Sequence, residues 1–498
     1  MNVQKSPVET LFNSIEDWKV DARATSESLL FYKFPGISKL DDGQINFVIG
    51  RKGSGKTAIA YYLNGNESYD KFSTILSFKN FSFNLIYENK DRSYTSNSQY
   101  ILIWKFIIYN AICSLMSKSE RIDSSISAQL KEHFSLDFQS ALSGTVKKLL
   151  GRTLEFSVLG NGISYGNSEE STNSGSLSER VEILEKMIGH FADDSKYFVL
   201  FDALDDDYSA SSTALQQQDY FNMLSSLLSA VAEIRFHFEQ IGKRIVPVIF
   251  LRDDIYDQIQ YGDKNKWNDH RLSLNWNQER LEDMVLYRMK AGLREFEEFS
   301  TIGKSELLSM FFSDSIYRYK VRGRPVSVGI LKYMLRPTHD RPRDIIYYVR
   351  ECAKRAIQNE ILSVKIGDVK ECEKEYSQYF YDELIDEISP KLGQIRRYLD
   401  VFSSIRKPIF TKDEFYDTLF RVHPDLTRGK NLSGSVILSE LYKFGIVGNV
   451  TKQDNLQMYS YSSNRKDIDL TLNLCIHRGL YRALKLVKTR DMINVFDE

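Results

Sequence analysis

Residues 50–57, Gly50-Arg51-Lys52-Gly53-Ser54-Gly55-Lys56-Thr57, constrain this chain more than any other stretch. They fit the pattern GxxxxGK[ST] and lie between two different periodicities. Residues 45–49 (INFVI) are rich in β-branched side chains and predict a strand; 57–63 (TAIAYYL) predict a helix. A strand that opens through glycines straight into a helix folds its backbone into a concave nest. The nest N–H groups and the helix N-terminus present positive potential to a phosphate. Lys56 is placed to reach phosphate oxygens as a mobile point charge, and the Thr57 hydroxyl suits Mg2+. The cradling stretch is therefore read as Gly50, Arg51, Lys52, Gly53, Ser54, Gly55, Lys56, Thr57 and Ala58, with Arg51 and Lys52 contributing backbone contacts only. A glycine turn with an incidental lysine would not account for three glycines at these offsets.

A loop of this kind needs an acid at the end of a nearby buried strand to hold the metal. Residues 197–201 (YFVLF) form a continuous apolar run, the signature of a parallel strand buried on both faces, and lead into Asp202. Asp205 and Asp206 follow, and either could orient or deprotonate an attacking water. The competing reading, a solvated acidic turn, is preferred for Asp207. Residues 245–251 (IVPVIFL) predict the next central strand, which ends in Arg252 on the same sheet edge. A fixed positive charge there could stabilise a transferring group, or simply pair with Asp253 or Asp254. Arg341-Pro342-Arg343-Asp344 opens a helical run, with proline in an ordinary first-turn position. Arg343 could fold onto a bound nucleotide or form an ion pair between lid and core.

Strand runs at 73–78 and 271–276 alternate with helical runs at 100–116, 181–191, 212–240 and 278–293, which predicts a parallel α/β sheet. The expected organisation is a core over 1–299 with a flexible, Gly/Ser/Asn-rich insertion at about 118–196, then an all-helical lid over 300–388 without strand pattern. Residues 389–498 read as a winged helix: helices at 395–405, 411–423 and 433–445, the second with Thr411 and Glu414 in capping-box spacing, then a hairpin of 446–450 with 457–461. Charge separates this module from the rest. The whole chain carries a net charge of −1, yet 391–490 holds 18 Lys/Arg against 9 Asp/Glu.

The remaining residues mostly exclude. The longest apolar stretch, 100–116, is broken by Lys105 and Asn110 and falls short of the roughly 20 residues a membrane span needs, so it is read as a core helix. The first 23 residues lack an apolar segment, so no signal peptide is expected and a cytoplasmic location is. Cys113, Cys352, Cys372 and Cys475 show no metal spacing and are read as reduced, buried thiols. The seven histidines show no paired ligand spacing.

GRKGSGKT, FVLFDALDD with its DxxDD spacing, and the strand ending VIFLR resemble the P-loop ATPases of the AAA+/STAND assemblage. They are especially similar to bacterial stand-alone ATPases that share a lid and winged helix with origin-recognition proteins; LNW followed by a helix ending in YRM is also family-like. The resemblance implies ATP and Mg2+ as cofactors, Asp202 as metal ligand with Thr57, Arg252 as sensor of the γ-phosphate, and Arg343 as lid sensor. It further implies a slow or partner-stimulated ATPase switch, in a mobile-element or anti-phage setting, as a homo-oligomer or beside a separate effector. The partner would be protein or DNA engaged through the winged helix, with helix 433–445 in the major groove and Arg465 and Lys466 near the wing; no membrane partner is expected. A DNA-binding ATPase of the replication-initiator or loader type is the alternative. A kinase reading lacks an acceptor base. Asp206 replaces the glutamate usual after DxxD, and no arginine finger is evident.

Overall fold

The structure, a computed structural model, describes residues 6–486 apart from 22, 24–29, 80, 82, 94–97, 136–137, 139–141, 152–154, 160–161, 167–175, 207–213, 260–263, 315, 322–323, 428–432, 452–455 and 463–466. The chain divides into two compact units, Asp21–Asn275 and Met1–Val20 with Trp276–Glu498.

The unit Asp21–Asn275 contains β1 (Phe47–Ile49), β2 (Lys71–Ser77), β3 (Glu155–Leu159), β4 (Gly162–Gly166), β5 (Lys196–Asp202), β6 (Arg244–Leu251) and β7 (Arg271–Ser273). Five of these form one sheet in the order β2-β5-β6-β1-β7, every pair parallel. The α/β class expected from strand–helix alternation is therefore the class found. All of β1, and all of β5 after Lys196, is buried, as unbroken apolar runs require when helices cover both faces. The helix Ile101–Met116 supplies much of that cover: Trp104 meets the Phe201 ring edge-on at 6.0 Å, while Phe78, just after β2, stacks on Phe201 at 5.9 Å. Each such buried aromatic contributes about 1.5–3 kcal/mol. Its polar interruptions are satisfied within the unit. Lys105 Nζ lies 2.8 Å from Glu233, and Asn110 Nδ2 donates to the Phe106 carbonyl at 2.7 Å. Among the described residues no helix is long and apolar enough to cross a membrane.

The stretch 118–196 contributes the helices Ser124–Phe134, Leu142–Gly151 and Leu177–Phe191 and the antiparallel β3–β4 hairpin. Ser176 caps the third helix, with Glu179 returning to the Ser176 N–H. Much of the Gly/Ser/Asn-rich run expected to be flexible, 160–161 and 167–175, lies outside the described residues.

The second unit corrects two expectations. The lid is not all helical: β8 (Ile316–Val321) and β9 (Arg324–Gly329) pair as an antiparallel hairpin. The segment IYRYKV alternates apolar or aromatic residues with basic ones, a period of two that the absence of an apolar run conceals. The units also divide at 20/21 and 275/276, so the helix Pro7–Glu16 and residues 276–299 belong with the lid helices. The apolar face Leu11, Phe12, Ile15 is buried there, the Phe12 ring 4.7 Å from that of Phe311. The helices Pro342–Gln358 and Ile366–Ile388 pack through Tyr348 and Tyr376, stacked at 5.0 Å.

The chain ends in the helices Ile395–Ile405, Lys412–Val422 and Gly434–Lys443, with β10 (Ile409–Phe410), β11 (Val447–Val450), β12 (Gln457–Met458) and β13 (Asn473–Ile476). These strands form an antiparallel sheet in the order β10-β13-β11-β12. The β11–β12 hairpin and the Thr411–Glu414 capping box follow the sequence reading; β10 and β13 are additions to it.

Candidate functional site

The loop leaves β1 after Ile49 and enters the helix Lys56–Gly65. Glycine is required at two positions for different reasons. Gly55 has φ +97°, a left-handed conformation costly for other residues. At Gly50 space decides: a Cβ would lie 2.6 Å from Ser54 Oγ and 2.9 Å from Leu274 Cβ. The Gly50 N–H also donates to the Leu251 carbonyl at 3.2 Å, tying the loop to the end of β6.

Lys56 folds back over the loop, donating to the carbonyls of Gly50 at 2.8 Å and Arg51 at 2.9 Å. Burial pushes its ammonium below the ordinary lysine range. Asp205 and Asp253 pull the other way, Arg252 adds to the lowering and Asp202 opposes it. A loop that strips water from a cation and offers it mainly carbonyls is suited to an anionic ligand.

Strand β6 lies between β1 and β5, so Asp202 is one strand removed from the loop strand. The helix after the loop closes that gap, and the Thr57 hydroxyl donates to Asp202 Oδ1 at 3.1 Å. The Asp202 side chain is only 4% exposed. Burial pushes its carboxyl up; Arg23 and the Thr57 hydrogen bond pull it down, and Asp205 pushes up again. Its Oδ2 accepts no hydrogen bond among the described residues, and Arg23 Nη2 stands 3.8 Å away. This donor set fits a hard divalent ion, which takes hydroxyl and carboxylate oxygens. The bare, buried Oδ2 is the position such an ion would neutralise.

Immediately after β5 the chain turns through Ala203, at φ +60°, into a single 3₁₀ turn, Leu204–Asp206. A left-handed alanine is strained by roughly 1 kcal/mol, and the turn brings Asp205 Oδ2 to 3.7 Å from Arg252 Nη1. The Asp206 side chain and all of Asp207 lie outside the described residues. Arg252 stands at the end of β6, and the salt-bridge description is the one the geometry displays. It makes a two-pronged pair with Asp254, Nε to Oδ1 at 2.9 Å and Nη2 to Oδ2 at 2.8 Å, while its third nitrogen faces Asp205.

Sequence reasoning missed two residues of this cluster. Asp253 is pushed up by burial, with Arg51 its strongest opposing charge, so the Arg51 side chain acts on this cluster electrostatically. Its position beside Arg252 was a signal that could have been followed. Arg23 had none, since it lies in a segment without periodicity, far from Asp202 in sequence.

The lid arginines belong to the other unit. Arg343 Nη1 pairs with Glu383 Oε2 at 3.0 Å, an ion pair inside the lid between Pro342–Gln358 and Ile366–Ile388. Arg341 is the more buried, reaching Glu387 Oε2 at 2.9 Å and His339 Nδ1 at 2.7 Å. In the C-terminal helix Gly434–Lys443, Ser433 serves as N-cap, accepting from the Val436 N–H at 3.4 Å. Arg465 and Lys466 lie outside the described residues. All four cysteines are buried and unpaired.

A glycine-bearing loop at the carboxyl edge of a five-stranded parallel sheet, with helical elements following, defines an α/β P-loop fold. Residues 279–385 match the family described as FunZ-associated C-terminal helical domain. Over 479 residues the chain is 23% identical to the 80.3 kDa protein ascribed to transposon gamma-delta of Escherichia coli (strain K12). That alignment covers 91% of this chain and 64% of the relative, so the chain spans less than two thirds of the relative's length. Among solved structures it is similar to Cdc6p from Pyrobaculum aerophilum (12% identity, TM-score 0.34, 94% of this chain and 97% of that one). It is also similar to the Aeropyrum pernix ORC2 protein (13%, TM-score 0.40, 98% and 94%) and to the Walker-type ATPase PABY2304 of Pyrococcus abyssi (11%, TM-score 0.39, 95% and 100%). The fold class rests on the sheet and loop themselves.

Proposed function

We propose that this protein binds ATP with Mg2+ at 50–58 and hydrolyses it as a molecular switch. One observation carries the reading: Thr57 Oγ1 meets Asp202 Oδ1 at 3.1 Å across an intervening strand, beside a buried Lys56 held by loop carbonyls. Nothing in the packing of a glycine turn calls for that convergence. In this reading Lys56 grips the β- and γ-phosphate oxygens, and Thr57 and Asp202 hold the metal. The ion, when bound, neutralises charge that develops on the transferring group. Asp205, or Asp206 next to it, orients the attacking water, and Arg252 stabilises the terminal phosphate. Arg343 senses the nucleotide from the lid (300–388), and the winged-helix-like region (389–498) relays its state to a protein effector, to DNA or to further copies of the chain. An aspartate in place of the customary glutamate after DxxD supports slow or partner-stimulated turnover.

The excess of 18 Lys/Arg over 9 Asp/Glu across 391–490 favours a second reading, a DNA-binding ATPase of the initiator or loader type. The relative's ascription to a transposon supports work within a mobile element. DNA affinity that falls with salt, and is lost on charge reversal at Arg465 and Lys466, would select DNA over protein docking.

Nucleotide binding and phosphate release by wild type and Lys56→Ala test the central claim. The variant is expected to lose roughly 10²–10³-fold in turnover, the scale of removing one key electrostatic donor. Wild-type turnover in the variant would end the assignment.

A further inference from the structure

We propose that Arg23 is a resident counter-ion for Asp202, which a divalent ion must displace before it can occupy the site. The inference rests on the reading of 50–58 and Asp202 as a nucleotide–metal site and adds a regulator to it.

The two oxygens of Asp202 are unequally served. Oδ1 accepts the Thr57 hydroxyl, whereas Oδ2 is buried and accepts no hydrogen bond among the described residues. A bare carboxylate oxygen in a dry site is destabilising unless an opposite charge stands near it. Arg23 Nη2 stands 3.8 Å away, close enough for an ion pair and too far for a hydrogen bond. The arginine is only partly exposed, at 26%, and its Nε is buried without a hydrogen-bond partner among the described residues. Tyr61, on the helix after the loop, lies in the field of the same pair. Burial pushes its phenol up, Arg23 pulls it down and Asp202 pushes it up.

Such a contact compensates charge without supplying coordination. A divalent ion offers twice the charge and takes the oxygen directly, so ion and guanidinium exclude one another at Oδ2. Arg23 then sets the free metal concentration at which nucleotide binding becomes metal-assisted.

The test is the affinity of a fluorescent, non-hydrolysable ATP analogue, titrated against free Mg2+ for wild type, Arg23→Gln, Arg23→Met and Arg23→Lys, with circular dichroism to check folding. Loss of the guanidinium is expected to lower the half-saturating Mg2+ by about three- to tenfold, the scale of one partly buried ion pair. Arg23→Lys should stay near wild type, and the difference between wild type and Arg23→Gln should narrow with added KCl. Arg23→Met keeps much of the aliphatic stem and serves if the glutamine variant misfolds. An unchanged or higher Mg2+ requirement in both neutral variants overturns the proposal. A wild-type protein that fails to bind the analogue, or a Lys56→Ala variant that binds it equally well, overturns the nucleotide reading instead.

Discussion

Two clusters of buried charge in this protein are built in opposite ways. In the lid, Arg341 has both terminal nitrogens engaged, by Glu387 and by His339 Nδ1, and the far nitrogen of His339 donates to the Gly445 carbonyl at 3.1 Å. Asp344 accepts the His339 backbone N–H at 2.9 Å. Burial works against the Arg341 charge, but Glu387 and Asp344 more than offset it and hold the guanidinium protonated. At the sheet edge, burial wins instead: it lowers Lys56 and raises Asp202, and one oxygen of Asp202 accepts no hydrogen bond among the described residues. Arg341 Nε, like Asp202 Oδ2, has no hydrogen-bond partner among the described residues, so the difference lies in the charges. A buried cluster whose partners favour its charged forms holds a structure together, whereas one in which burial disfavours them is poised for a ligand.

The comparison can be broken from either side. The largest expected effect is on stability. Arg341→Ala removes from Glu387, 8% exposed, its ion pair at 2.9 Å; thermal and denaturant unfolding should show a loss of about 3–5 kcal/mol. A loss below 1 kcal/mol would mean the lid cluster is not structural. Next in size, Arg252→Ala should reduce phosphate release roughly ten- to a hundredfold while leaving nucleotide affinity close to wild type, because its charge matters most when the terminal phosphate transfers. An equal fall in affinity would make Arg252 a ground-state binding group, and unchanged phosphate release would reduce it to the Asp254 salt bridge alone.

Asp202→Asn should sharpen the contrast through pH. A carboxyl whose folded pKa lies above its unfolded value binds more protons in the folded state, so its ionisation opposes folding. Without nucleotide, the contribution of Asp202 falls as pH rises from the ordinary carboxylate range through its raised value. The asparagine variant should therefore melt higher than wild type at neutral pH, with the gap closing on acidification, as differential scanning calorimetry would read. A variant that melts lower at pH 7 would show Asp202 to be structural. The smallest effect belongs to Arg343→Ala. Its pair with Glu383 is 29% and 27% exposed, so stability should change by only about 0.2–1 kcal/mol. A much larger drop in hydrolysis with so small a change in stability would mark it as a sensor; unchanged hydrolysis would leave it a lid salt bridge.

The residues from Gly50 to Thr57 were legible because each answers a local demand: φ at Gly55, space at Gly50, a reaching cation at Lys56. Asp202 and Arg252 were legible because apolar runs announce central strands, and the first polar residue after such a strand emerges at the sheet edge. Arg23 was not, since nothing in a segment without periodicity says where its side chain will lie. The β8–β9 hairpin escaped for a related reason: alternating basic residues carry a strand period without the apolar content that usually reveals it.

Local sequence thus determined which segments become strands and helices, where the loop must turn, and which residue types stand ready at strand ends. Those properties depend on backbone sterics and on burial periods of two and 3.6 residues. Only the tertiary structure decided the strand order, which puts β6 and Arg252 between the loop strand and Asp202. It also decided which charges meet, such as Arg23 with Asp202. Pairing across such separations is set by how whole elements pack, and no local preference along the chain encodes it.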